Sequence, residues 1–181
     1  MSLPRWTLLL PVPAAAIAAP AYAVDYLTVG EAQKALFPQA DGFAQRHIAL
    51  TDDELDRIKK LAGVRQRDKD PEIWEAKQGG KRVGWFVIDE VVGKHEYITY
   101  AVAVSPDGHV LGIEVMSYRE THGGEIRRVD WRHNFDGKTL ADPLKLGKDI
   151  PNISGATLSC RNVTDGVKRV LALLKVTVGY E

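Results

Sequence analysis

From Val83 to Tyr118 the chain is built from three runs rich in β-branched and aromatic residues, Val83–Val92, Tyr97–Val104 and Val110–Tyr118, separated only by short breaks. Such runs read as strands. The break Ser105-Pro106-Asp107-Gly108 is a strong turn signal, because Pro presets φ and Gly accepts a positive one. Three strands joined by short turns form an antiparallel meander. In the third run, Leu111, Ile113 and Val115 are expected on one face, with Gly112, Glu114 and Met116 on the other. The first run follows a Gly79-Gly80 break.

Helical patterning flanks this meander. Residues 25–37 carry Leu27, Ala32, Ala35 and Leu36 at apolar positions and stop before Pro38. Thr51-Asp52-Asp53-Glu54 is a capping box that opens a helix to about Leu61, with Leu55, Ile58 and Leu61 as the inner stripe and Gly63 as the stop. A short helix is expected over Val129–Phe135. The last helix is expected from Ser159 to Lys175, with Val163, Val167, Val170, Leu171 and Leu174 buried. Val176–Tyr180 reads as a short closing strand. The fold class is therefore α+β: an antiparallel β-meander packed with helices, preceded by an N-terminal helical extension.

The N-terminus has the pattern of an export signal. Arg5 supplies the positive start, Trp6 to about Ala19 is apolar, and Ala21-Tyr22-Ala23 fits a cleavage site that leaves Val24 first. An uncleaved membrane anchor is the alternative, weakened by Pro11 and Pro13 and by a run short of the ~20 residues needed to span a bilayer. The expected division is 1–23 signal peptide, 24–77 N-terminal helical region and 78–181 main domain, in a periplasmic protein. The composition of the whole chain is that of an ordinary globular protein, 45% hydrophobic and 27% charged with zero formal net charge. No basic stripe points to nucleic acid. Cys160 is the only cysteine, so no internal disulfide forms, and a packed core residue is the expected role. The five histidines show no metal-ligand spacing, so no metal is expected. Neither a Gly-x-Ser-x-Gly elbow nor a Gly-x-Gly-x-x-Gly turn is present.

Two stretches carry chemistry. Ser154-Gly155-Ala156-Thr157-Leu158-Ser159 lies at the expected start of the last helix. Small residues allow close backbone approach, and a helix start offers free N–H groups to an anion. Taken alone, this run is also an ordinary capped helix entry. The second stretch, Tyr118-Arg119-Glu120-Thr121-His122-Gly123-Gly124-Glu125, leaves the third strand through a glycine pair. Taken alone, it also reads as a solvated loop.

The Ser-Gly-Ala-Thr run resembles the flavinylation motif of the FMN-binding domain family. That family includes the C subunit of the sodium-pumping NADH:quinone reductase and the G subunit of the Rnf complex. The resemblance extends from about Gly84 to Leu174. It implies FMN as cofactor, joined by a phosphoester bond to Thr157, with Ser154, Gly155, Ala156, Leu158 and Ser159 around it. It also implies that Glu120, Thr121 and Gly123 belong to a loop closing over the flavin. Tyr118, Trp131 and Tyr100 are the aromatic candidates for the ring's wall. Covalent members carry an acidic residue three positions before the motif, where this chain has Pro151; Asp149 is the nearest acid. The implied partners are a flavin transferase and membrane or periplasmic redox proteins. The implied function is electron transfer between a membrane donor and an extracytoplasmic acceptor. A periplasmic flavin-dependent reductase of a soluble acceptor, or a docking module of a membrane redox complex, are the alternatives.

Overall fold

A computed structural model describes residues 24–180. The expected signal peptide lies outside these residues. Six strands form one sheet, every neighbouring pair antiparallel. They are β1 (Val24–Asp25), β2 (Gly42–Arg46), β3 (Glu72–Gln78), β4 (Lys81–Val92), β5 (Tyr97–Val104) and β6 (Val110–Tyr118). The spatial order is β1-β6-β5-β4-β3-β2, so β2 to β6 run as one continuous meander and β1 pairs with the β6 edge. The helices are α1 (Val29–Leu36), α2 (Asp52–Ala62), α3 (Val129–Arg132) and α4 (Thr157–Thr177). Short 3-10 turns cover Gly124–Arg127 and His133–Phe135.

The three expected strands and the α+β class are as read from the sequence. The stretch 24–77 holds the two expected helices but also β1, β2 and most of β3, and the line drawn at residue 77 falls inside β3. Gly79 and Gly80, both at positive φ, make the tight hairpin joining β3 to β4. The alternation in β3 is blurred by its charged residues: Glu75 is paired with Lys77 and Arg82, each at 3.7 Å.

Both early helices are closed by reciprocal caps. The Thr28 side chain accepts the Glu31 N–H while the Glu31 carboxylate accepts that of Thr28, and Thr51 and Glu54 repeat the arrangement. Gly63 ends α2 in the left-handed region.

The larger core lies between one sheet face and α2 and α4; all five expected apolar residues of α4 are buried there. A smaller core, around Ala32, Phe37, Phe86 and Met116, lies under α1 on the opposite face. Three features of the reading need correction. Leu61, expected on the inner stripe of α2, is 43% exposed, and Ala62 is buried in its place. Leu111 is 43% exposed and Val110 takes its place in the larger core beside Ile113 and Val115. Val110 pairs with Val104 and Gly112 with Ala103, so Leu111 is the extra residue of a bulge, and the alternation slips by one there. Val176–Tyr180 forms no strand: α4 continues to Thr177, and Val178 N–H donates to Leu174 O at 3.0 Å. Contacts of Val176 and Val178 with the larger core override their β propensity.

Candidate functional site

α4 begins at Thr157, two residues earlier than the sequence pattern indicated, so Thr157 is its first helical residue. Ala156 stands at the cap position and is 3% exposed. It has no side chain able to cap, and no acidic residue lies in the first turn. The start of a 21-residue helix is thus left without the side-chain acceptor that α1 and α2 both possess. Its free N–H groups and partial positive charge suit a phosphate. Ser154, Gly155, Thr157 and Leu158 are exposed, and Gly155 reaches φ +84° in the turn into the helix.

The loop after β6 comes to the same place. Gly123, at φ +89°, packs so closely that a Cβ there would lie 2.7 Å from the Ala156 Cβ and 2.7 Å from the Tyr118 hydroxyl. That hydroxyl donates to the His122 carbonyl and lies 3.4 Å from the Ser159 hydroxyl. Burial pushes the Tyr118 phenol above its ordinary pKa. Residues 118 and 120–125 therefore meet Ser154 and Gly155 around one cleft of about 660 Å³. That volume is in the range of small-molecule sites.

Glu120 braces the loop. One carboxylate oxygen accepts the backbone N–H groups of Lys94, His95 (2.5 Å) and Glu96 (2.9 Å) in the β4–β5 turn. Burial alone would raise its pKa, but these three donors outweigh that and hold the carboxyl below its usual range. A Cβ at Gly93 would lie 2.6 Å from that carboxylate and displace it. Thr121 bonds to His122 Nδ1 at 2.9 Å, and both side chains are exposed at the cleft.

Trp131 does not line the cleft. It is 4% exposed, packs edge-on against Phe135, and its indole N–H donates to Pro151 O at 2.8 Å, which fastens the segment leading into the motif. Tyr100 is buried elsewhere in the larger core, donating to Asp89, which also holds Arg169 at 2.6 Å. Asp149 closes its own loop: its carboxylate accepts from Leu144 N–H (3.1 Å) and Lys145 N–H (2.8 Å), and lies 3.4 Å from Lys138 Nζ. Cys160 is fully buried, and burial raises its thiol pKa. Three lining residues had no sequence signal: Tyr26, Arg127 and Arg128. Tyr26 arrives only because β1 pairs with β6, and its N–H donates to Met116 O at 2.8 Å.

The α+β meander thus brings its glycine loop against a helix start whose free N–H groups suit an anion. Residues 93–172 match the FMN-binding domain family. The match covers less than half of the chain, and FMN is the cofactor that family is named for. The chain is similar to the G subunit of an ion-translocating oxidoreductase complex from Stutzerimonas stutzeri, 32% identical over 111 residues, which cover 55% of this chain and 49% of that protein. It is also similar to the G subunit of a proton-translocating ferredoxin:NAD(+) oxidoreductase complex from Clostridium ljungdahlii, 29% identical over 151 residues, 75% of this chain and 78% of that one. The chain thus spans about half the length of the first relative. The crystal structure of NqrC from Shewanella oneidensis has the same fold, with a TM-score of 0.54 at 18% identity over 80% of this chain and 88% of that one.

Proposed function

We propose that this protein is an exported electron-transfer flavoprotein. It carries FMN on Thr157 through a phosphoester bond and passes electrons between a membrane donor and an extracytoplasmic acceptor. The observation that carries this reading is the meeting of Gly123 with Ala156, which joins the flavin loop to the phosphate-accepting helix start. Bound FMN supplies one- and two-electron chemistry. The chain's own residues hold and surround it. The first-turn N–H groups of α4 and the Thr157 hydroxyl take the phosphate end. Ser154 and Gly155 leave the backbone open to close approach, and Tyr118, Thr121 and Gly123 border the rest of the cleft.

Several features support a carrier over a reductase of small molecules. The cleft is lined by glycines and by polar and charged loop residues, of which Glu120 is committed to the β4–β5 turn and Arg128 to Asp130. The similar proteins are named as subunits of ion-translocating oxidoreductase complexes, in keeping with a membrane redox partner. A covalent tether retains the cofactor in a dilute exterior, and a flavin transferase would install it. Export rests on the leader pattern of residues 1–23. No helix among the described residues is long and apolar enough to cross a membrane.

The test is kinetic. FMN-loaded protein is mixed with NADH or NADPH and a soluble acceptor, with and without a membrane fraction. The reading predicts flavin reduction only when membranes supply the donor. Steady turnover of nicotinamide and acceptor without membranes supports the soluble reductase instead.

A further inference from the structure

Arg127 presents a fixed cation to the cleft. Its guanidinium carbon lies 3.3 Å from the centroid of the Tyr26 ring, a close cation–π stack. Its backbone is held independently, because Arg132 Nε donates to the Arg127 carbonyl at 3.0 Å while another Arg132 nitrogen donates to Ile113 O at 2.7 Å. The preceding turn is anchored by the fully buried Ile126. Tyr26 is tied to β6 through Met116 O. Both partners of the stack therefore sit on anchored backbone, and both line the cleft with Gly123, Gly124, Ser154 and Gly155. The neighbouring Arg128, also at the cleft, is paired with Asp130 at 2.8 Å. Among the described residues Arg127 forms no ion pair.

Resting on the FMN reading above, we infer that Arg127 sets the reduction potential of the cofactor, with Tyr26 as its positioning residue. In that reading the α4 start would take the phosphate end, which leaves the stacked guanidinium for the ring. Taking up two electrons and one proton leaves the ring one unit more negative. A cation already held in place stabilises that form without reorganisation, and charge near the ring is a recognised lever on flavin potential. Tyr26 lies outside residues 93–172, so the segment before the matched domain would help to set its redox chemistry.

Spectroelectrochemical titration of the FMN-loaded protein and four variants tests this. Arg127→Met should lower the equilibrium constant for reduction about tenfold, a shift of about 30 mV to more negative potential for a two-electron couple. Arg127→Lys should shift it less. Tyr26→Leu should move it in the same direction as Arg127→Met, while Tyr26→Phe, which keeps the ring face, should match the wild type. Should Arg127→Met fail to load, the Arg127→Lys shift and the Tyr26→Leu against Tyr26→Phe contrast decide. A loaded Arg127→Met protein with unchanged potential overturns the inference. So does a variant that only takes up less FMN at unchanged potential, which would assign Arg127 to the phosphate. Wild-type protein that takes up no FMN overturns the cofactor reading itself, and this inference with it.

Discussion

A single methyl group added at Gly123 measures how closely the loop after β6 rests on the start of α4. The residue sits at φ +89°, where a side chain costs about 1–2 kcal/mol. The new Cβ would also lie 2.7 Å from both the Ala156 Cβ and the Tyr118 hydroxyl, and 3.2 Å from the Ala156 Cα. Relieving such overlap costs about 1–3 kcal/mol more. The total for Gly123→Ala is about 2–5 kcal/mol, or on the order of 10 °C in Tm for a domain of this size. Two neighbours separate the contributions. Gly155, at φ +84° with nothing within 4 Å of a Cβ, should show only the backbone cost of about 1–2 kcal/mol. Gly124 has open space and no positive φ, so alanine there should stay within about 0.5 kcal/mol of the wild type. Calorimetric unfolding of the three variants, each with FMN uptake followed by absorbance, reads both effects. Gly123→Ala should be the least stable and the poorest in uptake. A Gly123→Ala protein as stable as Gly124→Ala would refute the loop-on-helix contact.

The remaining predictions concern the supports of the site. Because the folded pKa of Glu120 is depressed, its contribution is present above the ordinary glutamate value of 4.5 and is lost as pH falls through the lower folded value; Tm of Glu120→Gln should therefore fall less than wild type between pH 5 and roughly pH 3, and equal acid sensitivity would count against the brace. Gly166→Ala drives a Cβ into the Tyr100 hydroxyl and sets it 3.1 Å from the ring carbon that bears it, so it should destabilise strongly in wild type and by less in a Tyr100→Phe background. A double-mutant cycle on denaturant unfolding reads the coupling, and additive effects would contradict the packing. Cys160 should resist thiol reagents at pH 8 until the protein is denatured; rapid labelling of folded protein would contradict its burial.

The meander was legible because β4, β5 and β6 are long and apolar, with a Pro-Asp-Gly turn between the last two. β2 and β3 were not, since their exposed and charged residues hide the period until their sheet neighbours are known. The bulge at Leu111 is likewise a property of pairing, which a single strand does not display. At the site, the Ser154–Ser159 run and the Glu120–Gly123 loop were both visible, while their contact across Gly123 and Ala156 belongs to the tertiary fold. Tyr118 was placed at the cleft by its neighbours in sequence. Trp131 is one step behind it, acting through Pro151, and only the hydrogen bond shows that. Tyr26 and Arg127 come together from opposite ends of a hundred-residue separation, roughly, with no shared pattern to mark them.

The attachment of the cofactor is tested most directly by making the mature protein together with a flavin transferase, denaturing it, and reading flavin fluorescence in the gel band. The account predicts a fluorescent band that disappears in Thr157→Ala and persists in Ser154→Ala. A dark wild-type band, or one whose fluorescence survives Thr157→Ala, would contradict it.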